Sequence, residues 1–397
     1  MLLMSLQTKN NRTFYSACLL YFILWVQWNI SLVMLPIFVD GLGASPFEVG
    51  LIWTVFTTVM IFSGPIFGIY SDRIGRRKPF IVFGMLGLVP VFVLISTQTT
   101  PLAIILARGS TAIFAGAILP TLFALVRDIS PPESIGRNLG ILNAAGTVGF
   151  AIGPMVGGAI SDIAGLPALW LFVATLCLIG GLTFLIAGEE SEKGGEERRR
   201  RSSSSSQSRE PSLKFFIISI SLFVFLIGQS LVGPSLNVYL NRDLGYSKTT
   251  IGFIILVASG PSIFLQPKTG SYSDRHGRKP ALLLLASTLA AGNIVLFFAS
   301  DIYLVLLAYV LVRYSTATFE MVGDAYITDI AIPEKISGTL GIFRSVGSLS
   351  RGIGSATGGL IISATGITTT MLLSALFPTV SVFIILLFLQ TNSNQVK

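Results

Sequence analysis

Apolar runs of about 20 residues recur along the whole chain, each long enough to cross a ~30 Å hydrocarbon core as a helix rising 1.5 Å per residue. Nothing else in the sequence restricts the fold so severely. In lipid every backbone N–H and C=O must be bonded within the protein, which leaves only helices or closed barrels. The runs are continuously apolar rather than alternating with period two, so a barrel is excluded and an all-α integral membrane protein is expected. Composition agrees: 52% of the 397 residues are hydrophobic and only 12% are charged, about half the share of soluble domains. Twelve transmembrane helices are expected, at residues 14–38, 47–70, 79–97, 102–126, 138–161, 167–187, 214–240, 249–271, 280–299, 302–327, 338–362 and 369–390.

An even number of spans puts both termini on one side, and the basic residues choose the side. Lys9, Arg12, Arg73, Arg76, Arg77, Lys78, Arg127 and Arg137 fall on the same side as the basic cluster near residue 200 and as Lys268, Arg275, Arg278 and Lys279. Only Arg242 and Lys248 fall in the opposite loops. Both termini are therefore expected in the cytoplasm, in a multi-pass protein of the plasma (cytoplasmic) membrane. The net charge of +8 is read as topology, and no nucleic-acid partner is expected. No cleavable leader is expected, because the first span is longer than a signal-peptide core. Cys18 and Cys177 both lie in apolar runs and His276 is the single histidine, so neither a metal site nor a disulfide framework nor a cofactor is expected.

Residues 188–212 interrupt the apolar pattern with a charged, Ser-rich stretch that has no core to bury. They are read as a flexible cytoplasmic linker between a six-helix bundle at 1–187 and a second at 213–397. The two parts resemble one another. Gln27 falls over Gln229, Ser45 over Ser247 and Gly50 over Gly252. Asp128, Ile129, Pro132, Glu133, Leu139 and Gly140 fall over Asp329, Ile330, Pro333, Glu334, Leu340 and Gly341. Self-similarity of this kind marks an internal duplication, and transporters place their solute between such repeats.

Between the second and third expected spans stands Gly68-Ile69-Tyr70-Ser71-Asp72-Arg73-Ile74-Gly75-Arg76-Arg77-Lys78, and between the eighth and ninth Gly270-Ser271-Tyr272-Ser273-Asp274-Arg275-His276-Gly277-Arg278-Lys279. This twice-repeated GxxxDRxGRR pattern resembles the signature of the major facilitator superfamily, over the whole chain except the linker and extreme termini. Gly68 is expected to let two helices approach, Gly75 to make a tight turn, and Asp72 to accept N–H groups at a helix start. The resemblance implies that this start is that of the eleventh span, near Ser337, and that Arg73 and Arg76 pair with carboxylates such as Asp128. Gly270, Asp274, Arg275, Gly277, Arg278 and Asp329 are the matching cytoplasmic-gate residues of the second copy.

In the fifth span Gly149, Gly153, Pro154, Gly157 and Gly158 resemble the motif of the drug/proton antiporter branch. Glycines at i, i+4 and i+8 also make a flat packing stripe, a reading that needs no antiport, and Pro154 is expected to bend the helix. Arg108, Ala115 and Pro120 match that branch's pattern in the fourth span, while Thr111, Ala112 and Phe114 depart from it.

A charge inside a span costs at least ~2.5 kcal/mol, so it is a functional candidate by default. Of the 19 acidic residues only Glu320 and Asp324 lie well inside spans, on one helical stripe with Arg313, and Arg344 and Arg351 stand seven apart in the next span. Glu320 is read either as a proton carrier or as part of a static ion-pair network bracing the two helices; Asp324 is read as structural. Arg351 is the expected solute contact, with Gln27, Asn29, Asn143 and Gln229 as polar groups at similar depth. Trp28 is read as a lipid-facing or core residue. The function expected is secondary active transport by a monomer, with proton-coupled efflux of amphipathic or drug-like small molecules. The alternative is a carrier for an anionic or polar metabolite, because intramembrane arginines outnumber carboxylates. A nucleotide-driven pump is excluded by the absence of GxxxxGK[ST], and no catalytic constellation points to an enzyme.

Overall fold

A computed structural model describes residues 2–190, 213–331 and 336–389. Among these the chain is helical apart from short connections. In order come α1 (Leu2–Gly41), α2 (Pro46–Ile74), α3 (Lys78–Thr97), α4 (Pro101–Ile129), α5 (Ile135–Ala187), α6 (Leu213–Arg242), α7 (Lys248–His276), α8 (Arg278–Phe297), α9 (Ile302–Ile330), α10 (Ile336–Thr365) and α11 (Ile367–Phe388). Ten of these elements are long and apolar enough to cross a membrane. The eleventh, α10, carries Arg344 and Arg351 among many Gly and Ser residues. At 53 residues α5 is far longer than a bilayer requires, and Gly165 interrupts it with φ 85° and ψ 164°. The expected spans 138–161 and 167–187 lie on the two sides of this break.

Local chemistry sets the helix starts. Ser45 and Glu48 form a capping box at α2: the Ser45 N–H donates to Glu48 Oε2 at 2.8 Å and the Glu48 N–H to Ser45 Oγ at 3.3 Å. Asp301 caps α9, accepting from the N–H groups of Tyr303 and Leu304 at 2.8 and 3.0 Å. Gly75 and Gly277, with φ of 73° and 89°, turn the chain between α2 and α3 and between α7 and α8.

The chain forms two compact units. Unit 1 gathers Met1–Leu42, Thr58–Ser206 and Ser247–Gly252. Its most enclosed helix is α1, and Trp170 stacks on Phe92 at 6.1 Å between centroids. Unit 2 gathers Gly43–Thr57, Gln207–Tyr246 and Phe253–Lys397. Its core runs through Leu222, Phe225, Leu285, Leu289, Phe319 and Phe343, with Phe225 and Phe319 stacked at 4.1 Å. The first turns of α2 thus belong to unit 2 and those of α7 to unit 1, where Thr54 Oγ1 donates to the Gly352 carbonyl at 2.7 Å and α7 meets α5.

Helices α1 and α5 of unit 1, and α6 and α10 of unit 2, pack backbone to backbone along glycine stripes. In unit 1 a Cβ at Gly153 would stand 2.7 Å from the Val26 carbonyl and one at Gly149 would strike that of Phe22; Gly157 faces Ile30. In unit 2 Gly354 faces the Ile227 carbonyl at 3.0 Å, and a Cβ at Gly358 would strike that of Leu231. Gly158 lies round the helix from the stripe and faces the Lys248 carbonyl.

Pro154 keeps helical φ/ψ, and the non-helical residue inside α5 is Gly165. The effect of Pro154 appears in hydrogen bonding. Proline has no N–H, so the carbonyl four residues earlier, that of Phe150, loses its helical donor. Asn29 on α1 supplies one: its Nδ2 donates to Phe150 O. Asn29, expected to serve solute, has a structural task. Asn29→Leu should therefore destabilise the protein by about 1–3 kcal/mol, and Pro154→Ala, which returns an N–H to Phe150 O, should recover most of that loss. Thermal unfolding of the two single variants and the double variant measures the coupling; purely additive effects would break the assignment.

Two other expectations change. The linker at 188–212 does not begin as a free tether: Glu190 accepts from the N–H groups of Arg77 and Lys78 at 2.9 and 2.7 Å, and the Glu189 N–H donates to Thr13 Oγ1 at 3.1 Å. A carboxylate there complements the dipole at the start of α3, which has no side-chain cap of its own. The remainder of the linker, 191–212, lies outside the described residues, as do Pro333 and Glu334. Gly68 is not a point of close approach either. A Cβ there would meet the Pro120 ring at 3.7 Å, an ordinary contact, because that ring fills the space. The tight contact of α2 with α4 falls at Gly116, against Ser63.

Candidate functional site

Unit 2 holds the intramembrane ion pairs. Glu320 and Asp324, one turn apart on α9, face Arg351 and Arg344, two turns apart on α10. Glu320 Oε1 accepts from Arg351 Nη2. Arg344 Nη2 and Nε donate to Asp324 Oδ2 at 2.8 and 3.3 Å. The Arg351–Glu320 pair is partly enclosed, whereas the Arg344 side chain is 71% exposed. Screening therefore weakens the second pair far more than the first. Further along α9, Arg313 lies one turn from Tyr309, whose hydroxyl donates to Asn237 Oδ1 on α6 at 3.1 Å. Gln229, also on α6, accepts from Ser230 Oγ at 3.2 Å. The second-unit candidates thus form two ion pairs, and Arg313, Glu320 and Asp324 lie along one face of α9.

Unit 1 is differently furnished. Arg108 on α4 is buried, and its Nη1 donates to Thr111 Oγ1 at 3.3 Å. Gln27 on α1 is buried with Oε1 unpartnered, and so is the Oδ1 of Asn29. Asn143 on α5 is exposed. Around these stands an aromatic group: Trp25 lies 5.5 Å from Trp28, 5.6 Å from Phe150 and 5.9 Å from Tyr21, and Tyr21 lies 5.6 Å from Phe123. The sequence reading passed over Trp25. Periodicity alone shows only that it shares a face with other apolar residues.

The duplicated loops are built on a residue that was also passed over. Asp128 was expected to pair with Arg73 or Arg76, but both of these are exposed. Arg77, with a side chain only 6% exposed, makes the ion pairs instead: Nη2 to Asp72, and Nε to Asp128 at 3.5 Å. Its Nη1 also donates to Ser71 Oγ. The turn at Gly75 is the reason. It carries residue 77 back beneath the end of α2, while Arg73 leaves the helix on its outer side. In the second copy Arg278 holds the same place, with Nη1 to Asp274, Nη1 to Ser273 Oγ at 3.2 Å and Nε to Asp329 at 2.8 Å. Partial burial opposes the Arg278 charge, but Asp329 and Asp274 outweigh it and raise the pKa above the ordinary guanidinium value. Arg275 is exposed like Arg73. In the GxxxDRxGRR register Arg278 falls over Arg76; the signal available was the Arg-Lys-Pro triplet after the turn, Arg77-Lys78-Pro79 and Arg278-Lys279-Pro280. The partner expected for Asp72 near Ser337 lies outside the described side chains.

A third contact joins α5 to the first turn of α7. Asp162 Oδ2 accepts from the N–H and hydroxyl of Thr249 at 2.8 and 2.7 Å, and Oδ1 from the Lys248 N–H at 3.3 Å. Burial opposes the Asp162 charge, yet these bonds and the Lys248 ammonium prevail and hold its pKa below the usual carboxylate range. In the internal repeat Ser45 and Glu48 fall over Ser247 and Thr250. Thr250 brings no carboxylate to this second box, and Asp162 instead accepts from the next two N–H groups, those of Lys248 and Thr249.

Among the described residues no His, Cys, Asp and Glu cluster could hold a metal. The family model described as Major Facilitator Superfamily matches residues 17–220 and again 218–397. The multidrug resistance protein MdtG of Proteus mirabilis is 26% identical over 293 residues, covering 70% of this chain and 72% of that protein. The staphyloferrin B transporter of Staphylococcus aureus is 26% identical over 400 residues, covering 94% and 93%. Among solved structures, a variant of the nucleoside transporter NupG superposes with a TM-score of 0.79 at 14% identity, over 94% of this chain and 99% of that one. Two family matches that together run nearly end to end, on an all-helical multi-pass membrane fold, make this chain a member of the major facilitator superfamily: a transporter of small-molecule solutes and not an enzyme.

Proposed function

We propose that the protein is a proton-coupled secondary transporter that exports amphipathic or drug-like small molecules by alternating access. In this reading twelve spans form two duplicated halves, both termini are cytoplasmic and the protein acts as a monomer. The break of α5 at Gly165 supports counting that element as two spans. The observation that carries the proposal is the pairing of Glu320 with Arg351 within the membrane-spanning part of unit 2. A carboxylate held by one guanidinium can be protonated when the pair opens and released when it re-forms, which couples proton uptake to a change of state. Asp324, paired with the well-exposed Arg344, has the structural part. Similarity to MdtG favours efflux of drug-like compounds.

The test is flux in proteoliposomes under an imposed pH gradient, with a lipophilic cation and an organic anion as probes. Glu320→Gln should abolish gradient-driven export while downhill exchange persists. Undiminished gradient-driven export in that variant would remove Glu320 from the coupling step. A second reading, a carrier for an anionic or polar metabolite, is favoured by Arg108, buried in unit 1, and Arg313, half-buried in unit 2. Uptake of the anion that ignores pH would select it.

A further inference from the structure

We propose that the aromatic group of unit 1 is a solute-binding wall for uncharged planar aromatic molecules, an inference that deepens the transport reading above and rests on it. Helix α1 is enclosed on most of its circumference. Its one partly open stripe runs through Phe22, Trp25, Trp28 and Leu32, at helical spacing. Trp25 is held in place rather than loose in the stripe. Its indole lies in the slot left by Gly146, where an added Cβ would come within 2.6 Å of Trp25 Cδ1, and the rings of Tyr21 and Phe150 meet it edge-on. Nε1 is turned into the protein, so the part of Trp25 left open is ring carbon. Trp28, Phe123 and Phe150 are half-exposed as well. The result is a rigid aromatic surface with open ring area, the geometry that favours offset or edge-on packing of another ring.

A lipid-facing surface would be apolar beyond the rings. This one is not. Asn143 and Thr147 stand exposed on α5, on the same helical stripe as Phe150. A free carboxamide in hydrocarbon is costly, so its exposure there points to an aqueous solute pathway. The charge pattern selects the ligand class. In unit 1 the apolar segments 14–38, 58–70, 79–97, 102–126, 138–161 and 167–187 contain no Asp or Glu, and their single basic residue, Arg108, is buried and donates to Thr111. Among the described residues of these unit 1 segments no carboxylate and no exposed basic group is there to neutralise a charged ring, whereas Asn143 offers a donor and an acceptor to a neutral polar substituent.

The probe is coumarin, planar and uncharged with a lactone carbonyl, beside its ring-saturated counterpart octahydrocoumarin. Equilibrium binding to the full chain in nanodiscs, at one pH and with no gradient, separates this proposal from proton coupling: loss of gradient-driven export in Glu320→Gln does not alter it. Coumarin should bind at least several-fold more tightly than octahydrocoumarin. Trp25→Ala should weaken coumarin by about fivefold to tenfold and leave the saturated probe nearly unchanged. Trp28→Leu, which leaves the Gly146 slot filled, should weaken coumarin by a smaller factor, and it keeps the proposal testable if Trp25→Ala fails to fold. Equal affinity for the two probes, equal losses for both, or no saturable coumarin binding would each overturn the wall.

Discussion

Gly358→Ala should lower the thermal unfolding temperature sharply, and Gly358→Leu should leave little monodisperse protein. The added Cβ would occupy the position of the Leu231 carbonyl on α6, an atom fixed by its own helix. Relief requires α6 and α10 to separate, and forcing extra atoms into a packed contact costs about 1–3 kcal/mol per substitution of this kind. A total stability of about 5–15 kcal/mol leaves little room for leucine, which adds three further carbons. Gly341 provides the control on the same helix. No atom lies within 4 Å of a Cβ placed there, so Gly341→Ala should be neutral or slightly stabilising through helix propensity. Fluorescence-detected size exclusion and a melting curve in one detergent compare the pair. Equal melting temperatures for the two alanine variants would show that α6 and α10 are not in backbone contact.

Arg351→Met should also be strongly destabilising, and the loss should be largely recovered by adding Glu320→Gln. Methionine preserves much of the side-chain bulk but leaves Glu320 without its counter-charge within a span. Breaking a fully buried pair costs about 3–5 kcal/mol. The Glu320 side chain is 37% exposed, so screening reduces the expected loss to about 2 kcal/mol. In the double variant neither charge remains, and stability should return to within about 1 kcal/mol of the parent. The cycle also separates the two roles open to this pair. A static brace predicts that the stable double variant still transports under a gradient. A proton carrier predicts a well-folded double variant with no gradient-driven flux.

Much of this molecule could be read before any coordinates. Apolar runs, the basic loops and the twice-written Asp-Arg-x-Gly-Arg pattern led to a multi-pass helical membrane protein and to its family. The residues that make the contacts were less legible. Arg73, Arg76 and Arg77 are equivalent as charges near a helix end. Only the path of the chain after Gly75 puts Arg77 under Asp72 and Asp128 and leaves its neighbours exposed. Asn29 resembled a solute ligand because it is polar and within a span. Its partner, the Phe150 carbonyl, is 121 residues away and is available only because Pro154 lacks an N–H. Asp162 is a similar case, a carboxylate near the break of α5 that caps the start of a helix 86 residues further on.

The division has a physical origin. Hydrocarbon makes the same demand on every residue that enters it: its backbone must be bonded and its side chain apolar. That demand is local, so the order and number of apolar segments are written directly in the sequence. Hydrogen bonds and ion pairs act over about 3 Å and depend on angle, so the partner of a given side chain is chosen by how distant helices cross. The sequence by itself determined a helical membrane transporter with its charges gathered in the loops, at Arg108 of the fourth span and on two helices of the second unit. Only the tertiary structure decided that Arg77 binds Asp72 and Asp128, that Asn29 serves a proline-orphaned carbonyl, and that Trp25 stands in an aromatic wall.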